Sequence, residues 1–232
     1  MITSPDIAAS GGWEAHNIWQ HSRTVRELYI ARARDEAEEM TCAAQAAELL
    51  QGLARDGESL LDIGCGSGYF LHSLRRRNIP LAYHGIDATR DFIEIGQREL
   101  ARFGLPATNL QPLRIEDLQG IADHVLCMNV LSNIDNYHKP LERILKSASR
   151  SVILRESIAE ASSYAFVRDE YLDAGVALNV HVNTYARDEI ARFIESYGFR
   201  VSFILDRRTK GKPELVIGHP HHWTFVQAQR IS

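Results

Sequence analysis

The sequence predicts an α/β domain, and three observations carry that expectation. Short apolar runs alternate with longer amphipathic ones from about residue 59 onward, a glycine-rich turn joins the first run to the helix after it, and no internal repeat interrupts the pattern. The 232 residues hold 26 Lys+Arg against 30 Asp+Glu, a formal charge of −4, with 45% hydrophobic and 24% charged residues. That balance excludes the disordered, collagenous and coiled-coil classes. A chain of this length buries roughly 70% or more of its unfolded surface, enough for a core without disulfides or metals. No Lys/Arg excess exists to release counterions, which argues against a nucleic-acid partner and for a small one.

Residues 22–53 read as mostly helical, in two helices because the acidic run 35–39 interrupts the apolar stripe. Residues 59–63, SLLDI, form a buried strand, and the segment after Ser67 a helix ending near 77–80. Residues 81–86 are the next strand, followed by a helix from Thr89 to about Phe103 that Gly104 and Pro106 terminate. A third strand over 110–115 carries Pro112, which suits a sheet edge. Residues 123–128 make a fourth strand, 139–148 a helix and 152–155 a fifth strand. The stretch from about 156 to 184 then breaks the alternation with two short helical pieces rich in Tyr, Asn and Asp; so long a connection reads as a functional insertion. A helix over 187–197 puts Ile190, Phe193, Ile194 and Tyr197 on one face, with Gly198 as its C′ glycine. Strands over 199–205 and 223–228 end the chain, joined by a Gly/Pro/Lys-rich connection that allows an antiparallel return.

The chemistry lies in Asp62-Ile63-Gly64-Cys65-Gly66-Ser67-Gly68, which closes a strand and opens a helix. Glycines there let backbone approach a ligand closely, and free N–H groups at the helix start offer donors. A dinucleotide fingerprint needs its third glycine at position 69, where this chain has Tyr69, so the spacing argues against NAD. Asp87 ends the next strand about 20 residues on, where a carboxylate can accept hydrogen bonds from both hydroxyls of a ribose.

At these residues the chain resembles the class I S-adenosylmethionine-dependent methyltransferases. Asp62 to Gly68 looks like the family's first motif and Gly85-Ile86-Asp87 its second. Arg114-Ile115-Glu116-Asp117-Leu118 falls where the family has an acidic residue near adenine, and residues 123–131 resemble its fourth motif. Asn129-Val130-Leu131-Ser132-Asn133 departs from the commonest form, with Ser-Asn where many small-molecule members carry Glu-His. The resemblance implies a Rossmann-like fold: a seven-stranded, mostly parallel sheet with an antiparallel last strand, N-terminal helices, and an insertion after strand 5. It also implies residues 1–54 as a helical lid segment and 55–232 as the methyltransferase domain, with an acceptor-pocket insertion at about 156–185. S-adenosylmethionine would be the cofactor and S-adenosylhomocysteine the product. Gly64, Cys65, Gly66 and Gly68 would line it, Asp62 would receive its amino group, Asp87 and the adjoining Ala88 would face the ribose, Glu116 or Asp117 the adenine, and Asn129 and Val130 the amino-acid end.

Methyl transfer from a sulfonium needs alignment more than covalent help, although an alcohol or phenol acceptor also needs a base. His181 and His16 are the candidates, and the N-terminal segment and the insertion are expected to meet over the sheet's carboxyl edge, with Trp13, Trp19, Tyr164 and Tyr171 enclosing the acceptor. The acceptor expected is a polar small molecule, a sugar derivative or natural-product intermediate methylated on oxygen or nitrogen. An RNA or protein methyltransferase and a catalytically silent scaffold are the other readings, and the chain is expected as monomer or homodimer. Gly218-His219-Pro220-His221-His222-Trp223 is not read as a metal site, because consecutive strand histidines point to opposite faces. Three scattered cysteines, a small and polar residue 1–12 segment without signal-peptide character, and no apolar run of about 18 residues point to the cytoplasm and away from a membrane.

Overall fold

The computed structural model describes residues 14–231. Helices α1 (Arg23–Ala33) and α2 (Thr41–Gln51) precede β1 (Ser59–Ile63), α3 (Phe70–Arg76), β2 (Ala82–Asp87), α4 (Arg90–Leu100), β3 (Leu110–Pro112), β4 (Ala122–Met128), α5 (His138–Ser147) and β5 (Ala148–Ala159). Then come β6 (Phe166–Arg168), β7 (Asn179–His181), β8 (Tyr185–Ala186), α6 (Arg187–Glu195), β9 (Phe199–Leu205), β10 (Glu214–Val216), β11 (His219–His221) and β12 (Trp223–Arg230). The main sheet runs β3-β2-β1-β4-β5-β12-β9, with two-residue β8 beside the end of β5. β12 is antiparallel to β5 and β9, and the other pairs are parallel. This is the mostly parallel sheet with an antiparallel last strand that the sequence predicts. Strand order reverses between β1 and β4, so a crevice forms at the carboxyl edge there, the place where open α/β sheets bind ligands.

The strands alternate their side chains between two cores. Leu60, Leu126, Ile153 and Phe225 face α2, α3 and α4 through Ala46, Leu50, Phe70, Leu74 and Ile93. Leu61, Val125, Leu154 and Val226 face α5 and α6 through Leu141, Ile144, Leu145, Ile190 and Ile194. Residues buried on both sheet faces explain why β1 and β4 read as continuous apolar runs. Pro112 sits at the end of edge strand β3, where its missing N–H costs nothing in the ladder. The break between α1 and α2 falls where predicted, with Asp35 left-handed at φ 61°.

The expectation of two short helical pieces between 156 and 184 is overturned. β5 runs on to Ala159, and the insertion folds as an antiparallel hairpin, β6 against β7. Val180 and Val182 recur at a period of two and bury against Ile18, Val167, Val216 and Ile217. That period is a strand's, and β-branched residues favour it. A third segment joins this cap: the β10–β11 hairpin, whose turn residues Ile217 and Gly218 both have positive φ, 46° and 76°. The two-residue turn demands that backbone, and Ile217 bears the strain while its side chain joins the cap. No helix among the described residues is long and apolar enough to cross a membrane.

Leu141 is fully buried among α5, β4 and β5, so Leu141→Ala is expected to lower unfolding free energy by about 2–5 kcal/mol. Ile121, 73% exposed, should change it by less than about 0.5 kcal/mol on the same replacement. Urea denaturation of the two variants tests the assignment of the core.

Candidate functional site

The glycine turn after β1 is fastened to β2 by backbone and carboxylate hydrogen bonds. The Gly64 and Cys65 N–H groups donate to the Ile86 carbonyl at 2.8 and 3.0 Å, and Gly68 N–H to the Cys65 carbonyl at 2.9 Å. Gly66 N–H donates to Asp87 Oδ2 at 2.8 Å, and Thr89 N–H to Asp87 Oδ1 at 2.7 Å. The amides of the loop at 64, 65, 66 and 68 thus have acceptors within the protein, and the free N–H donors expected of this turn are not found at these four positions.

Two of its glycines are required by space as well as by φ. A Cβ on Gly64 (φ 71°) would stand 2.3 Å from Val130 Cγ2, and one on Gly66 (φ 57°) 2.0 Å from Tyr29 Cε1. Tyr29, on α1, was not visible as a site residue in the sequence. Its ring stacks on Phe92 at 4.2 Å and 5°, its carbonyl accepts from Ser67 Oγ at 2.8 Å, and its hydroxyl is pushed up to about 12 by burial and by the nearby Asp87.

Two carboxylates face this turn. Asp62 is buried and accepts from the Tyr83 hydroxyl at 2.8 Å. Burial pushes it up to about 7, against the Tyr83 hydrogen bond, and Asp87 adds to the rise. Asp87, half-buried beside Ala88, is also raised by burial, opposed by the Thr89 and Gly66 amides. Thr89 in turn accepts from Asn17 Nδ2 at 3.0 Å, tying the N-terminal segment to the loop after β2.

A third carboxylate, on β5, holds the loop after β4. Glu156, buried after the predicted fifth-strand run, accepts from the amides of Val130, Leu131 and Ser132 at 3.0, 3.0 and 2.9 Å and from Ser132 Oγ at 2.8 Å. Burial raises it, opposed by the Ser132, Leu131 and Val130 hydrogen bonds. Asn129 is left-handed at φ 59°; its amide donates to the Arg155 carbonyl at 2.8 Å and its side chain accepts from Arg155 Nη1. The insertion reaches this loop through Asn183, whose side chain donates to the Ile134 carbonyl at 2.7 Å.

Glu116 and Asp117 share a 3-10 turn, at 3.3 and 4.0 Å from Arg114 Nε, with Glu116 the less exposed of the two. The N-terminal segment and the insertion meet: Arg23 N–H donates to both Asp173 oxygens at 3.0 and 3.1 Å, and Ile18 packs on Val180 and Val182. Trp13 lies outside the described residues. His16, Trp19, Tyr164 and Tyr171 are exposed, Tyr164 within 6.1 Å of Tyr185, while His181 is half-buried with its ring 4.5 Å from Phe166.

A family model described as a methyltransferase domain matches residues 34–202. The mitochondrial ubiquinone biosynthesis O-methyltransferase of Saccharomyces cerevisiae is 33% identical over 79 residues, 33% of this chain; the match spans a quarter of that relative's length. Among solved structures, magnesium protoporphyrin IX methyltransferase from Synechocystis with bound SAM superposes at TM-score 0.61 with 13% identity, covering 98% of this chain and 100% of that one. CalS10, an amino pentose methyltransferase from Micromonospora echinaspora, superposes at TM-score 0.58 with 16% identity over 88% and 97% of the two chains. At these identities the superpositions show a shared fold.

Gly66→Ala is expected to drive Tyr29 and α1 off the turn, raising amide hydrogen exchange across residues 23–33 at least about tenfold. Gly104→Ala, at φ 73° with nothing within 4 Å of the new Cβ, carries backbone strain alone and should leave α1 exchange unchanged.

Proposed function

The chain belongs to the methyltransferase-domain family, and from that premise we propose that it transfers the methyl group of S-adenosylmethionine to an oxygen or nitrogen of a polar small molecule, such as a sugar derivative or natural-product intermediate. The observation that carries the cofactor assignment is the glycine turn after β1, with Asp87 bonded across it at Gly66 and buried Asp62 beside it. The donor set fits. Asp87 has spent one interaction of each oxygen on an amide, and a carboxylate offers about four acceptor positions, leaving capacity for a ribose diol. Asp62 would take the amino group, Glu116 or Asp117 the adenine amine, and Asn129, Val130 and Tyr29 would line the remainder.

When bound, S-adenosylmethionine supplies a methyl group on a sulfonium, already activated toward an in-line nucleophile. The protein's contribution is then alignment and exclusion of water. Glu156 fixes the loop after β4 by three amides and a hydroxyl, so Asn129 and Val130 stand on a rigid edge. The cap of Ile18, β6–β7 and β10–β11 would enclose the acceptor. For an alcohol or phenol, His181, packed on Phe166, is the proposed base ahead of exposed His16. The net charge of −4 offers no broad basic surface for RNA, which favours the small-molecule reading.

Titration calorimetry with S-adenosylhomocysteine tests the cofactor site through pH. A cation against Asp62 favours its carboxylate, so below pH about 7 binding must expel a proton. Affinity is expected to rise by up to about tenfold per unit from pH 5.5 toward 7 and level above it. Asp62→Asn should bind more weakly and lose that slope; a flat profile in the native chain would remove Asp62 from the amino-group role. Once an acceptor is found, His181→Gln should cut turnover at unchanged S-adenosylhomocysteine affinity, and an undiminished rate would eliminate it as the base.

A further inference from the structure

The strand directions bring an unassigned polar cluster to the working edge of the sheet. β5 and β9 run parallel to β1, so Arg155 near the end of β5 and Asp206 just past β9 reach the carboxyl edge; antiparallel β12 starts there with Trp223. β5 lies two strands from β1, about 10 Å at sheet spacing, beyond the Asn129 end of β4. Arg155 is 2% exposed. Its Nε donates to Asp206 Oδ2 at 2.7 Å, its Nη1 to Asn129, and its guanidinium carbon lies 4.5 Å from the centre of the Trp223 ring. Nη2 has no partner.

His221 lies 4.8 Å from the same Trp223 ring and is 1% exposed, with neither nitrogen in a hydrogen bond. Among the described residues five buried side-chain nitrogen or oxygen atoms lack a partner, and three of them are Arg155 Nη2 and the two His221 nitrogens. Their neighbours are satisfied: Asp206 Oδ1 accepts from Thr209 N–H and Oγ1 at 2.9 and 3.1 Å, and Trp223 Nε1 donates to Glu214 at 2.7 Å. Buried polar groups in native proteins are rarely left so, and each exception calls for a partner, a water or an ion included.

We propose that Arg155 and His221, both packed on Trp223, bind a hydroxyl group of the methyl acceptor. This deepens the small-molecule methyltransferase reading and rests on it. A guanidinium offers donors only. Burial lowers the His221 imidazole, and a neutral imidazole offers one donor and one acceptor nitrogen. The group that accepts from one and donates to the other is a hydroxyl. Asp206 already balances the Arg155 charge, so an uncharged oxygen suits this site better than a carboxylate or phosphate, whose desolvation would find no free cation. His221 ends the β10–β11 hairpin whose turn, through Val216 and Ile217, is part of the cap.

The test is ligand-detected NMR on the full chain loaded with S-adenosylhomocysteine. The probes are methyl α-D-glucopyranoside against its monodeoxy analogues, and catechol against phenol. The wild type is expected to bind one hydroxylated probe at least tenfold more tightly than the analogue lacking one hydroxyl. His221→Phe should shrink that ratio below twofold while keeping S-adenosylhomocysteine affinity within twofold; Arg155→Lys should shrink it as well, with its S-adenosylhomocysteine affinity read separately because Arg155 also holds Asn129. If Arg155→Lys loses S-adenosylhomocysteine binding through its buried pair, His221→Phe carries the test alone. A wild type that discriminates no probe from its deoxy partner, or variants that keep the full ratio, overturns the proposal in favour of buried water on these groups. A wild type that binds no S-adenosylhomocysteine overturns the methyltransferase reading beneath it.

Discussion

One carboxylate ties the ends of the first two strands and the helix after them together. Asp87 takes the Gly66 amide on one oxygen and the Thr89 amide on the other, so the end of β2 is tied to the turn after β1 and to the start of α4. Charge-assisted hydrogen bonds to backbone amides are among the stronger ones a protein makes. From that pair the rest follows. The turn is held where Gly66 can receive only a hydrogen, Tyr29 settles against it, and Thr89 passes the constraint to Asn17 and so to the cap.

β5 repeats the device with opposite charges on opposite faces. Consecutive strand residues point to opposite sides of a sheet, and here Glu156 turns one way to gather three amides of the loop after β4 while Arg155 turns the other to meet Asp206 and Asn129. Adjacent residues therefore fix both flanks of the same loop, and Asn129 is kept left-handed between them. A left-handed non-glycine persists when its surroundings over-determine it, and three polar contacts do so: its amide to Arg155, its side chain from Arg155 and its carbonyl from Asn133.

What the sequence made legible was local. Asp62, Gly64, Gly66, Gly68 and Asp87 sit at the ends of strands whose apolar runs and glycine stops lie within a few residues of them, so pattern and spacing suffice. Tyr29 and Asn17 were not legible, because their partners lie 38 and 72 residues downstream, on Ser67 and Thr89, and nothing in their neighbourhood marks them. The insertion misled for a related reason. Its strand period rests on Val180, Val182 and Val167, which bury only once Ile18 and the β10–β11 turn close over them; read alone, the Tyr, Asn and Asp between them look like capped helical turns. Glu116 and Asp117 stay undivided because one turn and one arginine serve both.

The mild acidity of the chain acquires a location from this. Asp62, Asp87 and Glu156 stand at the carboxyl edge of the sheet, and burial raises all three. For Asp62 the sign matters: with a folded value of about 7 against about 4 when unfolded, the folded state keeps its proton longer, so its contribution to stability falls as pH climbs through that window. Three units correspond to about 4 kcal/mol, an upper bound for one buried group. At neutral pH the buried Asp62 carboxylate is thus held at an electrostatic cost offset by packing elsewhere, including the two cores on either side of β1. A cation placed against Asp62 recovers part of that cost, whereas an anion would add to it. Arg155, buried two strands from β1, has a carboxylate of its own in Asp206, so its charge is balanced without drawing on Asp62 or Asp87.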